Sequence, residues 1–228
     1  MKLNMIKKNI KISTKNGVNY VYKDDIIVKQ KPWIGDAFSF LYDFLMKKSV
    51  YPKKLDASYK QHIVFLKKNL GVIHDMSVLE LATGSGNLSE ILPKDNKYVG
   101  VDVSPGLLKA AYKKFMKNGY KDFQLYSCSA EDLPFTDNLF NLCICNISLN
   151  FFDDLDKVIK EIKRVLKEKG VFFCNVPVPE RNKKQSVIHG KLYSESDLMK
   201  KFVSNGFDFK TYNFTNGSLL YFKAILKD

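Results

Sequence analysis

The residues best placed to do chemistry are in SVLELATGSG, Ser77 to Gly86, and in KYVGVDVS, where an apolar run ends at Asp102. Glu80 is an acid near the end of a run of Val78, Leu79 and Leu81, and Ala82, Gly84 and Gly86 keep the following turn small. Small residues let backbone N–H groups approach a ligand closely, and a helix opening after them would add its positive N-terminal end. The fitting guest is a nucleotide-like molecule.

The elements that must position these residues alternate between strand and helix. The pattern predicts strands at 77–81, 97–102, 123–127, 140–146 and 170–176, with helices from about 87, at 104–117 and at 153–167 between them. Such alternation means right-handed βαβ units and a parallel sheet covered on both faces. A further helix begins near Ser194, with Asp197 as the acid at its third position. The runs FDFKTYNF and GSLLYFKAIL are joined only by TNGS, too short for a crossover, so they form an antiparallel hairpin at the sheet's edge. The expected architecture is one α/β domain in three stretches: an N-terminal β meander over 1–31, a helical cap over 32–70 and a Rossmann-like domain over 71–228. Asn16-Gly17 between alternating runs marks the hairpin of the meander, which serves either as a dimerisation arm or as a flap over the site. The cap follows from Phe38, Leu41, Tyr42 and Leu45, then His62, Phe65 and Leu66, at helical spacings.

Composition narrows the classes. The formal net charge is +13, yet only Arg164 and Arg181 are arginine; the other basic residues are lysines scattered along helical faces. Arginine is the side chain whose planar fork suits phosphate and bases, so nucleic acid is not the favoured partner. No apolar run reaches the roughly 20 residues of a membrane span, and the N-terminus lacks the apolar centre of a signal peptide, which points to the cytoplasm. Cys128, Cys143, Cys145 and Cys174 lie in or beside strands without a CxxC pair and read as small buried hydrophobes, with no metal site expected.

Four segments in order, ELATGSG, VGVDVSPGLL, SAEDLPF with TDNLF, and VIKEIKRVLKEKGVFF, resemble the class I S-adenosylmethionine-dependent methyltransferases. The likeness is closest to the small-molecule group that includes the ubiquinone and menaquinone biosynthesis enzymes. It implies a seven-stranded sheet of order 3-2-1-4-5-7-6 with S-adenosylmethionine bound and S-adenosylhomocysteine released. The family's acid–GxGxG motif has its first glycine replaced by Ala82, which the turn tolerates if φ there is negative. An NAD-type GxGxxG is the competing reading of Gly84, Gly86 and Ser89, but it leaves Glu80, SAEDLPF and the closing hairpin unexplained.

By that resemblance, Glu80 with Ala82, Gly84, Ser85 and Gly86 underlies the methionine part of the cofactor, and Asp102 accepts from the ribose hydroxyls. Val103 lies against the adenine, while Ala130 and Glu131 meet its edge, with Asp132 the alternative if the register slips. Asn146 contacts the cofactor or else caps a turn. Methyl transfer is an in-line displacement that needs chiefly a nucleophile held close, so no catalytic residue stands out. Residues after strand four read NISLNFF, without the proline motifs of relatives that methylate nucleic acids, which favours a small-molecule acceptor. The candidates to hold it are Trp33, Phe38, Tyr42, Asn150, Phe151, Arg181, His189 and Tyr193, with His189 as the side chain that titrates near neutrality.

Overall fold

The computed structural model describes residues 5–23, 26–27 and 41–227. At its N-terminus, β1 (Ile10–Lys15) and β2 (Val18–Lys23) form an antiparallel hairpin, joined by a two-residue β3 (Ile26–Ile27). Asn16 and Gly17 turn it with φ of 54° and 77°, the double positive φ of the turn whose twist matches paired strands. The described part of the hairpin is not a flap over the site but a part of the main sheet. β2 pairs in parallel with β6 (Phe123–Ser127), so the hairpin extends the main sheet on that edge.

Next come α1 (Tyr42–Leu45), which continues as a π-helix over Met46–Lys54 and contains Pro52, and α2 (Tyr59–Leu70). Ser58 caps α2, its hydroxyl accepting from the Gln61 amide.

The sheet continues through β4 (Ser77–Leu81), β5 (Lys97–Asp102), β6, β7 (Phe140–Asn146) and β8 (Leu166–Pro177). It closes with β9 (Phe207–Thr211) and β10 (Leu219–Leu226). The order is β1-β2-β6-β5-β4-β7-β8-β10-β9, with β3 on β2, in a ten-stranded sheet. Numbered from β4, the last seven run 3-2-1-4-5-7-6, parallel until the antiparallel β10. α3 (Pro105–Lys117), α4 (Leu155–Val165) and α5 (Glu195–Ser204) cover it. Each is capped by the residue before it: Ser104, Asp154 and Ser194 accept backbone N–H groups of the first turn. On α4 the buried residues Leu155, Val158, Ile159, Ile162 and Val165 form one stripe.

One sequence expectation fails here. In place of a helix after residue 87 there is a single 3₁₀ turn, Asn87–Glu90. Pro93 follows closely enough to stop helix growth, because the residue before a proline avoids helical backbone. With so short a turn, the positive helix end expected at the site is reduced to a few N–H groups.

The two-residue period of strands separates two cores. Leu79, Leu81, Val99, Val101, Cys143, Cys145, Phe172 and Cys174 pack on the face beneath α4 and α5. Val78, Tyr98, Leu142, Ile144, Phe173 and Tyr221 pack on the opposite face, with Phe65, Leu66 and Leu70 of α2 and Leu108, Ala111 and Phe115 of α3. All four cysteines are buried free thiols, and burial pushes Cys128, Cys143 and Cys174 upward in pKa. Among the described residues no helix is long and apolar enough to cross a membrane.

Candidate functional site

The same period sets the site. Counting by twos from the second core's residues, Val78 leads to Glu80, Tyr98 to Asp102, Ile144 to Asn146 and Phe173 to Asn175. Four polar side chains therefore emerge on one face, at the carboxyl ends of adjacent strands, where open α/β sheets bind ligands.

They are wired together. Asp102 accepts the Gly84 amide through Oδ2 and the Ser104 amide through Oδ1, both at 2.8 Å, so it ties the glycine turn to the start of α3. Glu80 is 3% exposed; its carboxyl accepts from the Tyr98 phenol and, at 3.2 Å, from Asn146 Nδ2. Asn146 in turn accepts from Asn175 Nδ2 at 2.7 Å. Burial pushes Glu80 up to about 8, against the Tyr98 and Asn146 hydrogen bonds that pull it down. Gly100, the neighbour of Glu80 on β5, has no room for a Cβ, which would lie 2.5 Å from Thr83 Oγ1.

The turn is strained. Ala82 has φ 53° and lies in the left-handed region, so the condition of a negative φ that would make alanine easy there is not met, and Gly84 and Gly86 have φ 57° and 79°. A Cβ on Gly86 would stand 2.9 Å from both Cα and Cβ of Ala111, so glycine lets the turn approach α3. Ile147, the residue after β7, also has φ 51°, an outlier for a β-branched residue. Left-handed backbone therefore follows both β4 and β7, on the two sides of Glu80; such strain concentrates at sites.

A cavity of about 70 Å³ opens beside Glu80. Its sheet side is Glu80, Ala82, Gly84, Ser85, Asn146 and Ile147; its other wall comes from the cap and includes Met46, Tyr51, Tyr59, His62 and Ile63. Over the turn, Asp43 of α1 accepts from Ser85 Oγ at 2.6 Å, Asn87 Nδ2 at 3.1 Å and Lys114 Nζ at 2.7 Å. Burial would raise the Asp43 carboxyl, but the Lys114, Ser85 and Asn87 contacts hold it below its ordinary value.

The remaining sequence candidates are placed as follows. Val103 is exposed after β5, and Ala130 is buried. Glu131 Oε1 accepts the Asp154 amide at 3.0 Å and so braces the start of α4, while Asp132 points to solvent near Lys7. Of the acceptor-side set, Trp33 and Phe38 lie outside the described residues, and Tyr42 opens α1. The others do not converge on the cavity. Asn150 is buried and clasps the linker through the His189 carbonyl and the Lys191 amide. Arg181 donates to the Phe214 and Leu219 carbonyls, and Tyr193 packs into the core beneath α5. Phe151 and His189 are exposed. Among the described residues no cluster of His, Cys, Asp and Glu has the makings of a metal site.

The sequence reading missed Asp43, Tyr98 and His62. Each looks like ordinary helix or strand filling until distant chain segments meet it.

A family model described as a methyltransferase domain matches residues 74–215. The demethylmenaquinone methyltransferase of Chlorobaculum parvum is 34% identical over 107 residues, which are 46% of this chain and 42% of that protein. The chain thus spans less than half the length of this curated relative. The demethylmenaquinone methyltransferase of Thermotoga maritima is 29% identical over 174 residues, 74% of this chain and 71% of that protein. Among solved structures, the YcgJ protein of Bacillus subtilis has a TM-score of 0.65 at 15% identity, covering 75% of this chain and 100% of that one. At that identity the likeness is one of fold.

Proposed function

We propose that this chain, which belongs to the class I S-adenosylmethionine-dependent methyltransferases, transfers a methyl group from that donor to a small acceptor molecule. The observation that supports it most is the row of strand-end polar groups around the strained turn, above all Asp102 gripping the Gly84 amide at 2.8 Å.

The chemistry of these residues fits the donor. Its ammonium suits the Glu80 carboxyl, and its ribose hydroxyls suit Asp102. The exposed Val103 offers an apolar surface for the adenine, with Ala130 and Glu131 at its edge. Glu131 already holds the Asp154 amide, so its share in adenine recognition falls to the oxygen that this bond leaves over. Room is the other requirement. Ligand pockets run to about 300 Å³ or more, and the cavity is about 70 Å³, so binding requires α1, which Asp43 holds over the turn, to move outward. When bound, the donor supplies an electrophilic methyl group on a sulfonium that leaves as a neutral thioether.

What the chain contributes is placement and exclusion of water. Glu80, neutral when the site is empty, loses its proton as the ammonium arrives, because a buried carboxylate is stabilised by an adjacent cation. Asn146, itself held by Asn175, keeps that carboxyl oriented. The aromatic wall of Tyr51 and Tyr59 covers the reacting region and suits a flat, apolar acceptor. The demethylmenaquinone named for the relatives is such a molecule, and an oxygenated aromatic is the first acceptor class to try.

The test is a transfer assay with radiolabelled S-adenosylmethionine and reduced 1,4-naphthoquinone. Label in the extracted naphthoquinol is expected. Saturable donor binding with label appearing only in RNA or protein would overturn the small-molecule reading.

A further inference from the structure

His62 has an environment that fixes which of its ring nitrogens carries the proton. The β9–β10 loop sends Asn216 to the start of α2, where Oδ1 accepts the Ser58 amide at 2.7 Å and Nδ2 donates to the Ser58 carbonyl at 3.1 Å. Those two bonds settle the orientation of the amide. The second Nδ2 hydrogen goes to Tyr221 Oη at 3.1 Å. Tyr221 is fully buried, and its hydroxyl lies 3.0 Å from His62 Nδ1, the one remaining acceptor among the described residues. A buried hydroxyl must donate, so Nδ1 accepts and the proton of the neutral imidazole sits on Nε2.

The ring is neutral because burial pulls its pKa down to about 3. The groups around it are the phenols of Tyr51 and Tyr221, which pack against it, and Tyr59 and Glu80, which share the cavity it lines. Among the described residues Nε2 has no hydrogen-bond partner. His62 is only 3% exposed, and its open side is the cavity. A neutral imidazole of this tautomer cannot serve there as a base. It is a fixed N–H donor on an otherwise aromatic and aliphatic wall, in a cavity that Glu80 and the turn also line.

We propose that His62 recognises the methyl acceptor by donating Nε2–H to an oxygen of that molecule, a carbonyl, enolate or phenolate oxygen, and that the Asn216–Tyr221 chain exists to hold this donor in place. The inference rests on the methyltransferase reading and adds to it the chemical feature the acceptor must carry. Two arguments favour the acceptor over the carboxylate of the cofactor. The donor comes from the cap and not from the turn, and a single neutral N–H suits a delocalised or uncharged oxygen better than a localised anion, which calls for charge-assisted or multiple donors.

The chain has three histidines, so their ring nitrogens are readily separated by NMR. In ¹⁵N-labelled protein at pH 7, His62 should show the neutral Nε2–H tautomer, persisting to about pH 4.5, and Tyr221→Phe should show a mixture of tautomers. An Nδ1–H tautomer or a charged ring at pH 7 would overturn the proposal. In the second arm, 1-naphthol is titrated into protein saturated with S-adenosylhomocysteine. The expected result is a downfield shift of the Nε2 proton and binding at least about tenfold weaker in His62→Phe, with the affinity for S-adenosylhomocysteine unchanged. Unchanged naphthol binding in His62→Phe, or no naphthol binding by the wild type, contradicts the role. Loss of S-adenosylhomocysteine affinity in a folded His62→Phe protein would assign the donor to the cofactor instead. A wild-type protein that binds no S-adenosylhomocysteine at all fails the methyltransferase reading itself, a result separate from the tautomer.

Discussion

Asp43 on α1 and Lys114 on α3 lie 2.7 Å apart, and between them they clamp Ser85 and Asn87 of the glycine turn. The cap is therefore latched to the glycine turn by a half-buried ion pair. Such pairs contribute modestly to stability.

Breaking the latch should make the cofactor easier to bind. In Asp43→Ala the segment opens without giving up these bonds, and S-adenosylmethionine affinity is expected to rise several-fold, with little change in melting temperature. Calorimetric titration checks it. A fall in affinity would show that Asp43 holds the cofactor itself.

Two buried groups shape stability against pH in the ligand-free protein. Glu80 has a folded pKa of about 8 against an ordinary 4.5, so between those values only the folded state keeps its proton and stability falls as pH rises. His62 has a folded pKa of about 3 against 6.5, so the unfolded state binds the proton and stability rises with pH over that window. The two oppose each other between 4.5 and 6.5, giving a plateau. Above pH 6.5 the Glu80 effect stands alone, with a slope on the order of 1 kcal/mol per pH unit. Urea unfolding from pH 6.5 to 8 should show that decline in the wild type and its absence in Glu80→Gln; parallel curves would refute the assignment.

Ala82→Gly should stabilise the fold. An L-residue in the left-handed region costs about 1–2 kcal/mol, offset by about 0.5–1 kcal/mol from the greater freedom of glycine in the unfolded chain. A net gain of up to about 1.5 kcal/mol is expected in urea unfolding. A loss would mean that the Ala82 methyl makes a contact worth more than the strain.

How far the sequence revealed all this depends on the range of the interactions. The strands and the closing hairpin were legible because alternation and loop length are local, and so was the position of Glu80 and Asp102 near the carboxyl ends of β4 and β5, where apolar runs stop. The conformation of Ala82 was not, since φ at one turn position is decided by Thr83 bonding back to β5. His62 reads as one apolar position among Phe65 and Leu66; the partner that fixes its proton, Tyr221, is 159 residues away. Asp43 meets Lys114 across 71 residues. Of the described acceptor-side candidates, Asn150 and Arg181 stay away from the cavity because they spend their hydrogen bonds on the backbone carbonyls of His189, Phe214 and Leu219.

The central claim is that the row of strand ends around the turn is the cofactor site, and calorimetric titration of S-adenosylmethionine into the wild type and Asp102→Ala tests it most directly. Wild-type binding in the micromolar range is expected, with about one proton released per ligand between pH 6 and 7 as Glu80 ionises. Asp102→Ala should weaken binding at least about tenfold, through the lost acceptors and the loosened Gly84 amide. Equal affinity in the two proteins, each shown to be folded, would contradict the account.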